Sequence, residues 1–191
     1  MSLDPYLDLE HGVLRNRLGI TDAAELAAVE RRISALRIAG IERSPVPGGY
    51  DLAHLQHVHW RIFSDVYPWA GTLRTVTLAR SGRPFCAPEL IRHTADGIFA
   101  RLAAGGPWRG RDRAAVLDGL TTLLAELNDL HPFREGNGRA QRTFLGQLAR
   151  EAGRPLSWDG QDPVTAAAAA RAAAAGDRAP LRALLDRALA P

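Results

Sequence analysis

The chain has 191 residues, of which 46% are hydrophobic and 24% charged, a length and balance that suit one globular domain with its own core and exclude a disordered or fibrous polymer. Its single cysteine, Cys86, excludes an internal disulfide and a paired-cysteine zinc site. All 24 basic residues are arginine and the net charge is only +3, a mild signal for anionic ligands that does not extend to nucleic acid as a dedicated partner.

The stretch from Met1 to Arg15 is broken by Asp4, Asp8 and Glu10, so neither a signal peptide nor a membrane span is expected and the expected location is cytoplasmic. Thr21 is placed to cap a helix on which Leu26, Val29, Ile33 and Leu36 recur at helical spacing, ending near Gly40. After the breakers Ser44 to Gly49, a second helix is expected from Asp51 to Tyr67, stopped by Pro68. From Leu73 to Phe85 the apolar residues fall among threonines and are followed by Ser81-Gly82-Arg83-Pro84, which predicts a short β-hairpin. Helices are expected again over Pro88 to Ala104, Arg113 to Leu130 and Asn137 to Ala152, the last with Gly153 beyond its end. The alanine run 166–175, interrupted only by Arg171, reads as a peripheral helix, and a short helix from Arg178 closes the chain. The expected class is therefore mainly α with one small β element. A single domain is expected, with a core over about residues 3–160 and C-terminal helices over 161–191.

Between two strongly helical segments lies HPFREGNGRAQR, positions 131–142. Glycines at 136 and 138 let the backbone turn and present successive N–H groups, and the helix that follows adds its dipole, which together make a nest for an anion such as phosphate. Arg139 and Arg142, three residues apart, share a helix face and offer two guanidinium forks. Glu135 supplies the hard oxygen that Mg²⁺ seeks beside bound phosphates. His131 can accept a proton from an incoming hydroxyl near neutral pH. Phe133, an apolar ring in a polar loop, calls for a buried home.

The run HPFREGNGR followed by Arg142 resembles the Fic-domain signature at every fixed position, and Asp4-Pro5-Tyr6, Leu14-Arg15-Asn16, Val66 to Gly71 with Leu73-Arg74, and Phe85 to Leu90 resemble the N-terminal half of small bacterial Fic proteins. The resemblance implies a helical fold with the signature joining two central helices, and transfer of AMP from ATP to a Tyr, Thr or Ser hydroxyl of a target protein. It implies His131 as general base, Glu135 as Mg²⁺ ligand, Gly136, Asn137 and Gly138 as the anion nest, and Arg139 and Arg142 on the β- and γ-phosphates. It also implies that the hairpin acts as a flap, with Arg74, Thr75, Val76 and Thr77 holding the target segment as an added strand.

The family's self-inhibitory pattern, (Ser/Thr)-x-x-x-Glu-(Gly/Asn), has no good match. Thr21 to Glu25 and Thr122 to Glu126 have the spacing but are followed by Leu26 and Leu127. The expectation is a toxin whose Arg142 is paired by a glutamate from a separate small antitoxin protein. His54, His57 and His59 lack acidic or cysteine companions and are not expected to bind metal; His59 falls where the family has a structural histidine. Three alternatives stand beside adenylyl transfer. A kinase of the Doc branch would carry lysine where Gly138 stands, transfer of another phosphate-linked group is not separated by the phosphate loop, and an inactive protein-binding module would have no use for His131 and Glu135.

Overall fold

The computed structural model describes residues 4–106 and 108–190. Seven α-helices lie among them: α1 (Ala23–Arg43), α2 (Leu52–Phe63), α3 (Ile91–Ala104), α4 (Arg113–Leu130), α5 (Asn137–Glu151), α6 (Pro163–Ala174) and α7 (Ala179–Ala188). Two antiparallel two-stranded ribbons accompany them, β1 (Leu7–Asp8) with β2 (Val13–Leu14) and β3 (Ala79–Arg80) with β4 (Arg83–Pro84).

Aspartates start four of the helices, because a short carboxylate can accept from the N–H groups that a first turn leaves unpaired. Asp22 caps α1 by accepting from Glu25 N at 2.7 Å, Asp51 caps α2 through His54 N at 2.8 Å, and Asp112 caps α4 through Ala115 N at 2.7 Å. Asp162 does the same for α6 through Thr165 N at 2.9 Å. The cap of α1 is thus Asp22, one residue beyond the expected Thr21. This helix also runs past Gly40 to Arg43, since a glycine inside a helix costs only about 1 kcal/mol. Conversely α2 stops at Phe63, four residues before the expected Tyr67. The turn from Ser64 to Tyr67 drops Val66 and Tyr67 into the core, and that burial outweighs continuing the helix.

The central element is α4. Its buried face carries six leucines, at 117, 120, 123, 124, 127 and 130, and α3, α5, α6 and α7 all pack against it. At about 1.5–3 kcal/mol for each buried leucine, that face supplies on the order of 10 kcal/mol before conformational entropy is charged against it. On its other side α5 packs against α2 and α1, so the 131–136 connection is held between two helices that pack on each other in the core. One apolar core runs from Tyr6 to Leu189.

Three expectations need correction. The β1–β2 ribbon had no period-2 signal in the sequence and was not foreseen; it closes through Gly12, at φ +68°, whose N–H donates to Asp8 O at 2.8 Å. The hairpin of 73–85 is mostly extended loop, with ladder pairing only over Ala79–Arg80 and Arg83–Pro84. The helix expected from Pro88 begins as a single 3-10 turn over Pro88–Leu90 before α3, as the imide ring and missing donor of proline favour at a helix start.

Candidate active site

At the end of α4 the chain turns sharply. His131 closes the helix with its N–H on Leu127 O at 3.0 Å and takes φ 44°, ψ 61°, a left-handed conformation that costs a residue with a Cβ about 1–2 kcal/mol. Arg74 holds it there. Its Nε donates to His131 O at 2.7 Å, Nη1 to Val76 O at 2.6 Å, and Nη2 to Cys86 O and to Leu130 O. Its backbone N–H binds Pro132 O at 2.9 Å. Leu130 and His131 are the final carbonyls of α4, so a buried cation meets the negative end of the helix dipole. Arg74 is 2% exposed and its donors are spent inside the fold. It therefore does not face a target segment with the other flap residues; of those, Thr75 and Thr77 are exposed and Val76 is half-buried.

The imidazole of His131 stacks on Phe85, with centroids 3.9 Å apart and planes within 7°. Burial, and then the charges of Arg80 and Arg74, lower its pKa to about 3, against the pull of a hydrogen bond to the Asn128 backbone. At neutral pH the ring is uncharged, with one of its two nitrogens unprotonated.

The loop after it is braced from within. Asn137 Oδ1 accepts from Phe133 N at 2.9 Å and Nδ2 donates to Phe133 O at 2.7 Å, while Phe133 itself is fully buried. The Asn137 side chain is thereby committed, and what it offers a ligand is its backbone N–H. His59 completes the brace. Nδ1 accepts from Gly71 N at 2.8 Å, so Nε2 carries the proton and donates to Glu135 O at 2.9 Å. The ring stacks on Phe133 at 3.9 Å, and burial lowers its pKa to about 4. His54 likewise sits between Tyr50 N and Gln147 Nε2, at 3.2 and 3.1 Å, so both histidines serve the fold. Arg134, the variable residue of the signature, is tied to Asp4 at 2.8 Å.

Gly136 begins α5 at φ +78°, and a Cβ there would lie 2.4 Å from the Phe63 ring. Its N–H donates to the Glu135 carboxylate at 2.8 Å. Otherwise Glu135 is exposed at the loop tip. Among the described residues no group of three His, Cys, Asp or Glu side chains is placed to hold a metal. A single exposed carboxylate beside an anion nest fits an ion that brings its remaining oxygens with a nucleotide, and it does not fit a resident metal.

His131, Gly138 and Arg142 converge on one cavity of about 200 Å³. Arg142 is the cation on its wall from α5. Burial and the neighbouring Arg139 lower its pKa, and among the described residues no carboxylate lies within ion-pair distance of it. Arg139 faces away from this cavity, toward α1. The wall also includes a second cation, Arg80, together with Asn128, Trp158 and Gln161, and Ala166, Ala167 and Ala170 of α6. The alanine helix is therefore not peripheral. Its one available signal was the i, i+4 pair Ala166 and Ala170, which aligns methyl-sized side chains on one face.

A helical fold in which the loop between its two central helices and the helix after it bring a histidine, a glycine and an unpaired arginine to one cavity, with a carboxylate exposed at the loop tip, suits an enzyme that handles nucleotide phosphates. The Fic/DOC family model matches residues 49–149, more than half of the chain, and the chain belongs to that family. It is 38% identical over 186 residues to the probable protein adenylyltransferase Fic of Salmonella typhimurium, covering 97% of this chain and 92% of that protein. It is 42% identical over 158 residues to the protein adenylyltransferase VbhT of Bartonella schoenbuchensis, covering 83% of this chain and 33% of VbhT; the chain thus spans about one third of that relative's length. Among solved structures, BepC of Bartonella tribocorum with bound AMPPNP superposes with a TM-score of 0.89 at 23% identity, over 97% of this chain and 96% of that one. At that identity the likeness shows the fold.

Proposed function

We propose that the chain is a protein adenylyltransferase that moves AMP from ATP to a Tyr, Thr or Ser hydroxyl of a target protein. The observation that carries the proposal is the single cavity in which the uncharged ring of His131 and the unpaired guanidinium of Arg142 face the start of α5. The names of the relatives, protein adenylyltransferase at 35–42% identity, support the same reaction.

The backbone N–H groups at Gly136, Asn137 and Gly138 hold the nucleotide phosphates, with Arg142 on the terminal one. Glu135 is the carboxylate that meets Mg²⁺ arriving with ATP; the ion supplies charge neutralisation at the phosphates. The target hydroxyl oxygen attacks the α-phosphorus, the new O–P bond forms as the bond to the bridging oxygen of pyrophosphate breaks, and the hydroxyl proton passes to the free nitrogen of His131. Positioning and charge neutralisation account for most of the acceleration. The flap segment Thr75 to Thr77, exposed at its two threonines, is the segment that would pair with an extended target strand.

With Arg142 unpaired by any carboxylate among the described residues, control falls to a separate small antitoxin protein that supplies a glutamate to it, in the cytoplasm. The test is incubation of purified protein with Mg²⁺, cell lysate and ATP labelled on the adenine or, in a parallel reaction, on the γ-phosphate, followed by mass spectrometry of the labelled proteins. An added adenylyl group on a hydroxyl side chain supports the reading; an added phosphate would instead establish a kinase, and label retained only as free AMP would refute transfer.

A further inference from the structure

Arg139 is the signature residue whose placement departs most from expectation. It is absent from the wall of the cavity that holds His131, Gly138 and Arg142. Instead Nη1 donates to Ser34 Oγ at 3.0 Å, Nη2 pairs with Glu30 Oε1, and the guanidinium lies 4.8 Å from the Phe63 ring centre. Glu30 and Ser34 are both buried on α1. The second oxygen of Glu30 accepts from the Tyr67 hydroxyl at 3.2 Å. On the other side, Glu135 Oε1 stands 3.8 Å from Nη2, beyond hydrogen-bond reach. Two carboxylates thus flank one guanidinium, and the buried one holds it.

This division has a consequence for Glu135. A carboxylate gripped by an arginine fork is a poor ligand for a cation, because the ion must first displace a charge-assisted pair. With Arg139 held by Glu30, the Glu135 carboxylate stays at the loop tip, hydrogen-bonded to Gly136 N and at 3.8 Å from Arg139 Nη2.

We infer that Glu30 and Ser34 are positioning residues for the transfer reaction: they hold Arg139 against α1, which keeps Glu135 available to the metal–nucleotide and leaves the phosphate grip to Arg142. The inference rests on the reading of Glu135 given above. It makes α1, a helix without any signature residue, part of the active site.

Glu30→Gln keeps the shape of the side chain and an acceptor for Tyr67 but removes the charge that holds Arg139. The released guanidinium then has one anionic neighbour left, Glu135. The variants are made with His131→Ala so that no turnover occurs, checked for folding by thermal denaturation, and titrated with ATP by calorimetry with and without Mg²⁺. Glu30→Gln is expected to leave metal-free ATP affinity within about twofold and to cut the Mg²⁺-dependent gain about tenfold, the size of one lost charge-assisted contact. Ser34→Ala should act in the same direction with a smaller effect. Glu30→Gln combined with Arg139→Gln should restore the gain, since the competing cation is gone; a purely structural role would make the double variant worse than either single one.

An unchanged Mg²⁺ gain in Glu30→Gln, or a double variant worse than Glu30→Gln alone, overturns the inference. A second comparison is independent of the metal: Arg139→Gln should weaken metal-free ATP binding by less than about threefold, and Arg142→Gln by about 10- to 100-fold. Equal losses would mean that Arg139 also grips phosphate and would overturn the division between the two arginines. If Glu135→Ala leaves the Mg²⁺ gain intact, it is the metal reading of Glu135 that has failed, and the arginine comparison alone decides the role of Glu30.

Discussion

Arg74→Lys separates the buried clamp on His131 from mere charge, because it keeps the cation and removes the fork. Arg74 reaches four carbonyls, on Leu130, His131, Val76 and Cys86, with three nitrogens that leave the guanidinium in fixed directions. One ammonium, whose three N–H groups leave a single nitrogen, cannot span those directions, and two carbonyls are expected to lose their donor. At about 1.5–3 kcal/mol for each hydrogen bond to a charged group, the loss is about 3–6 kcal/mol. Water entering at the end of α4 reduces it, and about 3 kcal/mol is the expected net destabilisation. For a chain of this length each kcal/mol lowers Tm by about 2–4 °C, so a fall of about 6–12 °C should be seen by calorimetry. Turnover measured on the folded protein should drop about 10- to 100-fold with KM for ATP little changed, since a shift of the imidazole by about 1 Å costs rate rather than nucleotide binding. Wild-type Tm and turnover together would refute the clamp. A lowered Tm with unchanged turnover would show that Arg74 supports the fold and does not place His131.

His131→Ala should abolish transfer while leaving nucleotide affinity within a few-fold, a kinetic loss of about 10²- to 10⁴-fold; a variant keeping more than a tenth of the activity would exclude the base role. Gly136→Ala places a Cβ 2.4 Å from the Phe63 ring at a positive φ; a destabilisation of about 2 kcal/mol or more in denaturant unfolding and loss of nucleotide binding are expected, and a neutral substitution would show that the loop can re-form elsewhere. His59 is neutral in the fold, with its pKa lowered to about 4. The unfolded chain therefore takes up a proton at His59 below about pH 6.5 that the folded chain refuses, so the contribution of His59 to stability is fully present above that pH and falls on acidification by about 2 kcal/mol at pH 5, with a further loss of the same sign from His131; unfolding midpoints that stay level between pH 7 and 5 would contradict the brace. Expressed alone, the chain should arrest growth of its host in a manner relieved by His131→Ala; harmless expression with no transfer by the purified protein would remove the toxin reading.

What could be read along the chain was whatever neighbours in sequence decide. Helix α4 has the expected bounds because Asp112 and the left-handed turn at His131 are local events, and the leucine spacing between them is a local period. The signature loop was legible for the same reason: its glycines, acid and arginines sit within twelve residues. Where local preference and burial disagree, the sequence misled, as at Tyr67, whose ring is drawn into the core instead of extending α2. The β1–β2 ribbon escaped because two-residue strands carry too short a pattern to recognise.

The sequence by itself therefore determined the mainly helical class, the loop that carries the chemistry, and the residue types able to perform it. Only the tertiary structure decided how those residues are divided. It turned Arg139 toward Glu30, more than a hundred residues away in sequence, buried Arg74 under the end of α4, and brought the alanine face of α6 to the cavity of His131 and Arg142. The reason is physical: a guanidinium takes whichever carboxylate or carbonyl the packing of distant helices brings within about 3 Å, and no spacing along the chain encodes that choice.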